Sequence, residues 1–260
     1  MKNPLPCMVD AAHAAGKIMR DNWRSPKKVS SETQHDIKLE LDVRCQKKIT
    51  NILQKAFPDV PLLGEEGNSG DIDAEYRWVV DPIDGTVNFT YGIPHACVSV
   101  ALQRRGRTQV GVVFDPFCDE LWTAVHGKPA LLNGRKISVS SRAKFEEAIV
   151  SVGFAKHKST LERMLPLMFE LIHKVRKLRT MGSATLALTY VATGRLDMYT
   201  EFGVRLWDIA AGGLILECAG GEFWNRPVDG VHAYHVIASN GRLRRRLQTL
   251  EASLQPLAPH

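Results

Sequence analysis

Nowhere in its 260 residues does the chain hold a run of the ~20 apolar positions needed to span a bilayer, so a transmembrane helix is excluded. Its N-terminus also lacks a basic region followed by an apolar core and a cleavage site, the marks of a secretory leader. Cysteines are few, odd in number and scattered, at Cys7, Cys45, Cys97, Cys118 and Cys218, with no Cys-x-x-Cys pair. That usage argues against a disulfide framework and a zinc site, and leads us to expect reduced thiols and a cytoplasmic protein. There is no internal repeat, low-complexity linker or proline-rich hinge. Aromatic residues make up 7% of the chain, and none is interleaved with the basic cluster Arg242, Arg244, Arg245 and Arg246. Without stacking residues, that cluster reads as a solvated helix face; the net charge of +6 is concentrated in a few places rather than in one continuous basic motif, which argues against a nucleic-acid partner while still drawing in small anions.

What is present is ample apolar content, 44% of the residues, enough for one large core or two intimately packed lobes. Apolar spacing over Val9 to Arg24 and over Asp42 to Phe57 predicts two amphipathic helices, the second ended by Pro58. Short apolar runs follow at Val98 to Leu102, Val110 to Phe114 and Leu121 to Ala124, and Asn133-Gly134 is a strong hairpin signal, so residues 1–140 read as a helix pair on an antiparallel sheet. From about Ser141 the pattern becomes α/β: a strand at Ala148 to Val152, a helix at Leu161 to Val175, another from near Gly182, a strand near Met198, and a helix stopped by Gly220-Gly221. Residues 141–260 are therefore expected to form an α/β lobe that shares an extensive interface with the first.

Chemistry concentrates at Trp78-Val79-Val80-Asp81-Pro82-Ile83-Asp84-Gly85-Thr86-Val87-Asn88-Phe89, where a buried strand ends in two carboxylates, a proline and a glycine. Pro82 stiffens the turn, aims Asp81 and Asp84 to one side and leaves the Ile83 carbonyl as a third oxygen for a hard cation. Gly85 and Thr86 offer N–H groups and a hydroxyl suited to a phosphate oxygen at a helix start. Two more acidic segments accompany it, Gly64-Glu65-Glu66-Gly67 and Trp207-Asp208-Ile209-Ala210-Ala211-Gly212. Taken singly, Asp208 also reads as a helix N-cap and Glu65 or Glu66 as a solvated loop acid.

Together these segments closely resemble the inositol monophosphatase family, a branch of the magnesium-dependent, lithium-sensitive phosphatases. The resemblance rests on Gly-Glu-Glu at Gly64 to Glu66, Asp-Pro-Ile-Asp-Gly-Thr-x-Asn-Phe at Asp81 to Phe89, and Trp-Asp-x-Ala-Ala-Gly at Trp207 to Gly212, and it covers nearly the whole chain. It implies a layered α-β-α-β-α sandwich and a Mg²⁺-dependent hydrolysis of a small phosphorylated polyol by metal-activated water, without a phosphoenzyme. Inositol 1-phosphate is the leading substrate; histidinol phosphate, fructose 1,6-bisphosphate and 3′-phosphonucleotides stay open, as does a regulatory, RNA- or protein-binding member of the family. Two or three Mg²⁺ ions are implied, the principal pair ~3.5 to 4 Å apart. Glu65, Asp81 and the Ile83 carbonyl match the first ion's ligands, and Asp81, Asp84 and Asp208 the second's. The resemblance also gives Thr86, Glu65 and Asp42 the handling of the attacking water. It gives substrate contacts to Gly85, Thr86, Gly182, Ser183, Ala184, Glu201 and Asp208, and it implies a homodimer.

The residues leave some of this open. Asp42 lies in Asp36-Ile37-Lys38-Leu39-Glu40-Leu41-Asp42, which reads equally well as a solvated stretch. A Val-Thr pair usual in the family is replaced there by Lys38-Leu39, and a lysine upstream is replaced near Ser31, which bears on the hydrogen bonding around Asp42 and on a third ion. Glu201 also reads as a surface acid paired with Arg205, and Arg179, a match to a family arginine, is a candidate partner for Glu201 or for a dimer contact. The loop Phe154 to Lys158 is expected to help choose substrate, and it lacks the serine of inositol-preferring relatives.

Overall fold

The computed structural model describes residues 3–26, 28–32, 37–154 and 158–254, and of 29–32, 37 and 38 the backbone. The chain opens with α1 (Leu5–Asp21), a hairpin of β1 (Val29–Glu32) and β2 (Ile37–Leu39), and α2 (Glu40–Ala56). Then come β3 (Leu62–Gly64), β4 (Tyr76–Asp84), a single helical turn α3 (Thr86–Thr90), β5 (Cys97–Arg104), β6 (Arg107–Asp115), β7 (Glu120–Val125), β8 (Leu131–Leu132) and β9 (Arg135–Lys136). The second half holds β10 (Ile149–Phe154), α4 (Lys158–Lys174), β11 (Lys177–Arg179), α5 (Ala184–Ala192), β12 (Met198–Arg205), α6 (Leu206–Cys218), β13 (Glu222–Pro227), β14 (Ala233–Ser239) and α7 (Arg244–Leu254).

Five layers result, and side-chain alternation explains them. In β4, β5 and β6 the residues Trp78, Val80, Val98, Val100, Leu102, Val110, Val112 and Phe114 point into a core shared with α1 and α2, while Val79, Cys97, Ala101 and Val113 point to the opposite face. Helices α1 and α2 cover the first face with apolar residues at helical spacing, Met8, Ala11, Ala12, Ala15 and Met19 on one and Cys45, Ile49 and Leu53 on the other. The second face packs against α5 and α6, whose apolar residues run all the way round because the two helices are sandwiched between sheets. Gly212 and Gly213 permit that crowding: a Cβ on Gly212 would lie 2.8 Å from the Leu188 Cβ. Beyond lies a second sheet, ordered β11-β10-β12-β14-β13, and α4 and α7 close its outer face around Val150, Val152, Met198 and Ile237.

The first sheet runs β3-β4-β5-β6-β7-β8-β9, and Asn133-Gly134 turns the β8–β9 hairpin as its sequence predicts, both residues at positive φ. It is not wholly antiparallel, since β3 and β4 pair in parallel. The pairing places Gly64 beside Val80, so that the Glu65-Glu66 turn leaves its strand next to Asp81. Among the described residues no helix is long and apolar enough to cross a membrane.

Candidate active site

Strand β4 does not stop before its acids but carries Asp81 and Asp84 as its last residues, with an irregularity in its pairing to β5 between them. Proline at position 82 has no N–H to give the ladder, and this irregularity is where the strand tolerates it. The Asp81 carboxylate accepts the Ile83 N–H at 2.9 Å through Oδ1, closing a turn within the strand end. Gly85 follows in the left-handed region at φ 94°, where a Cβ would lie 2.8 Å from the His95 carbonyl oxygen. Thr86 starts α3, and its hydroxyl donates to the Ile83 carbonyl at 2.8 Å, leaving that oxygen its second lone pair.

Asp84 reaches the second half of the chain. Its Oδ2 accepts from the Ser183 hydroxyl at 2.7 Å and from the Thr185 N–H at 2.6 Å, so a carboxylate from the first sheet caps the start of α5. Asn88 fastens the same junction, donating to the carbonyls of His95 and Met181, both at 2.9 Å. Asp208 arrives from α6, where it is the third helical residue and not the N-cap; that place belongs to Arg205, whose N–H donates to Asp208 Oδ2 at 3.0 Å. The peptide carbonyl of Asp208 takes the Thr185 hydroxyl at 2.7 Å. Glu65 comes from the turn after β3, which Gln46 holds by accepting the Glu66 N–H at 3.0 Å and donating to the Gly67 carbonyl at 2.9 Å.

These acids crowd one another. Desolvation lifts the Asp81 carboxyl well above the usual carboxylate range, and the charges of Glu65, Asp84 and Asp208 push it further. Asp208 is raised likewise, by desolvation and then by Asp84 and Glu65, against the opposing Arg205 N–H. Asp84 is raised by desolvation despite its Ser183 and Thr185 donors. Among the described residues no lysine or arginine forms an ion pair with Asp81, Asp84 or Asp208, and no three His, Cys, Asp or Glu side chains are drawn into a finished metal shell. The donor set is nonetheless oxygen alone, anionic and desolvated, which is what a hard divalent cation takes and what a soft one does not. The residues therefore fit Mg²⁺.

Asp42 is buried in the first turn of α2, 2% exposed, and accepts the Leu39 N–H through Oδ2 at 2.7 Å, so the solvated reading of it fails. Asp36 lies outside the described residues, as do the side chains of Ser31 and Lys38 and the stretch 155–157 of the loop expected to choose substrate.

A cavity of about 210 Å³ joins Asp84 and Asp208 to Gly182, Ser183, Ala184 and Glu201. Glu201 is not paired with Arg205, whose guanidinium donates to the Val231 carbonyl at 2.5 Å, nor with Arg179, which sits on exposed β11 and donates to the Leu178 carbonyl at 3.0 Å. Among the described residues its hydrogen-bond donor is the Tyr199 hydroxyl. Desolvation brings the Glu201 carboxyl up to about 7 against the opposing Tyr199 hydroxyl, with a smaller push from the Asp84 charge. Sequence reasoning passed over Tyr199, Gly153, Asn88 and Gln46. Tyr199 had a signal, because two residues along a strand from Glu201 means the same face.

Known proteins match throughout. A model of the inositol monophosphatase family matches residues 2–255. Inositol monophosphatase 1 of Solanum lycopersicum is 41% identical over 245 residues, covering 91% of this chain and 90% of that protein. Nus factor SuhB of Pasteurella multocida (strain Pm70) is 36% identical over 257 residues, covering 94% of each. The crystal structure of the extragenic suppressor protein suhB from Bartonella henselae superposes with a TM-score of 0.88 at 34% identity, over 96% of this chain and 98% of that one.

Proposed function

The chain belongs to the inositol monophosphatase family, and from its carboxylate geometry we propose that it is a Mg²⁺-dependent phosphomonoester hydrolase acting on a small phosphorylated polyol, with inositol 1-phosphate as the leading substrate. The observation that carries this reading is the cavity that joins Asp84 and Asp208 of the acid cluster to Glu201 on the second sheet. Glu65, Asp81, the Ile83 carbonyl, Asp84 and Asp208 would hold the cations. Bound Mg²⁺ would neutralise the phosphate and lower the pKa of water at the site.

The chain's own residues do the rest. Thr86 is oriented by its bond to the Ile83 carbonyl, with Glu65 beside Asp81 and Asp42 buried at the start of α2 as the further groups for positioning water and taking its proton. Gly85 and Thr86 face the phosphate end. Gly182, Ser183, Ala184 and Glu201 line the end assigned to the polyol, where a carboxylate accepts hydrogen bonds from hydroxyls. Apolar Leu165, Phe169 and Ile172 lie exposed at helical spacing on α4, 51%, 64% and 56% exposed, beside the free edge strand β11 that carries Arg179, and this supports pairing with a second copy. A cytoplasmic setting completes the reading.

One observation favours a second class of function: a relative 36% identical is named a Nus factor. Under that reading the chain is a regulatory binding protein and turnover is incidental. Phosphate release over a panel of inositol, sugar, histidinol and nucleotide phosphates, with and without Mg²⁺, separates the two. A preferred polyol ester hydrolysed only with Mg²⁺ supports the phosphatase, and no release from any ester contradicts it.

A further inference from the structure

Glu201 sits in β12 directly across from Gly153 of β10, its partner in the parallel register. A Cβ on Gly153 would overlap Glu201 Oε2 and come within 3.2 Å of the Tyr199 hydroxyl. Thus the missing side chain leaves the hollow in which the carboxylate and the phenol meet. Tyr199 is 2% exposed and its ring is packed in the central core among α5, α6 and both sheets, so its hydroxyl has a fixed position. Among the described residues its hydroxyl donates to Glu201 Oε2 alone. Of the two Glu201 oxygens, Oε2 is therefore occupied from within the protein, and the residue lines the cavity shared with Gly182, Ser183 and Ala184.

The geometry points to Tyr199 and Gly153 as a holder that sets Glu201 to receive one substrate hydroxyl through Oε1, making Tyr199 a positioning residue for polyol selection. The inference rests on the proposed role of Glu201 as the polyol acceptor. Without the phenol the carboxylate is free to rotate about its last torsions and must be ordered by the substrate, which weakens polyol binding but leaves the acid end and the phosphate where they were. Without the hollow it is displaced outright.

The test compares inositol 1-phosphate with p-nitrophenyl phosphate, an ester with no hydroxyl to read, in Tyr199→Phe, Gly153→Ala, Glu201→Gln and the double variant Tyr199→Phe/Glu201→Gln. The expected result for Tyr199→Phe is a loss of about tenfold in kcat/KM on inositol 1-phosphate, mostly in KM, with less than about twofold on the hydroxyl-free ester. Gly153→Ala, which keeps the phenol, should show the same selective loss, so the holder stays testable if either variant folds poorly. In the double variant the two losses should fail to add, because both act through one carboxylate. Equal losses on both esters, or additive losses, would show that Tyr199 serves the core alone and overturn the holder. A selective loss in Glu201→Gln with none in Tyr199→Phe or Gly153→Ala overturns the holder and spares the role of Glu201. No selectivity in Glu201→Gln removes both.

Discussion

Asp84 and Glu201 line the same cavity of about 210 Å³, yet their surroundings ask for different partners. Asp84 belongs to a crowd: with Glu65 and Asp208 it raises the Asp81 carboxyl, with Glu65 it raises the Asp208 carboxyl, and main-chain and hydroxyl donors tie one oxygen each on Asp81, Asp84 and Asp208. Glu201 stands on the second sheet, takes a hydrogen bond from the Tyr199 phenol and feels the charge of Asp84 across the cavity. Repulsion among desolvated carboxylates is relieved by a cation of high charge, whereas one carboxylate near its neutral point is served by hydroxyls. Under the proposed function, cation holding and polyol recognition fall within a few residues of strand and helix of each other, and the Asp84 bond to Ser183 joins the two.

The sharpest way to break this division is Asp84→Asn. The amide keeps the shape and still accepts from Ser183 and Thr185, but it removes an anionic ligand; kcat/KM should fall by about three orders of magnitude on every ester, polyol or not. Turnover within about threefold of the parent, a difference of roughly 0.7 kcal/mol in barrier, would remove Asp84 from the cation site. Glu201→Gln comes next and should act at one end alone, costing about ten- to hundredfold on inositol 1-phosphate and clearly less on p-nitrophenyl phosphate. A smaller effect follows from pH. The Glu201 carboxyl titrates at about 7, raised from its ordinary value, so the anionic acceptor is present above that pH and lost as pH falls through it. The ratio of the two esters' kcat/KM should therefore drop by about fivefold between pH 7.5 and 6, and Glu201→Gln should flatten it. A ratio constant with pH in the parent would deny Glu201 its role. The smallest effect expected is with Li⁺, which at millimolar order should halve turnover in an uncompetitive pattern; insensitivity would place this chain outside the lithium-sensitive group that its motifs resemble.

Much of the acid end was legible in the chain, because main-chain geometry built it. Asp81, Pro82, Ile83, Asp84 and Gly85 lie in one continuous run, where the rigid proline and the positive φ of glycine leave few conformations. The two layers of α1 with α2 and of the first sheet followed from periodicity. What periodicity could not show was partnership across the chain. Gln46, bracing the Glu65-Glu66 turn, reads as one more polar helix residue, and Asn88, tying that half to Met181, reads as a turn residue. The parallel pairing of β3 with β4 was hidden because a three-residue strand carries no orientation in its pattern. Asp208 looked like a cap because acids favour the first turn of a helix as well as its cap, and the alternatives differ by three positions. At the polyol end, Gly153 declared nothing, since its meaning is the side chain it lacks opposite Glu201.

Phosphate release from inositol 1-phosphate, followed in one sample through chelation of divalent metal and then restoration of Mg²⁺, tests most directly whether the crowded acids form a cation-dependent hydrolytic centre. Release should stop on chelation and return with Mg²⁺, whereas release that continues undiminished in the chelator would contradict the account.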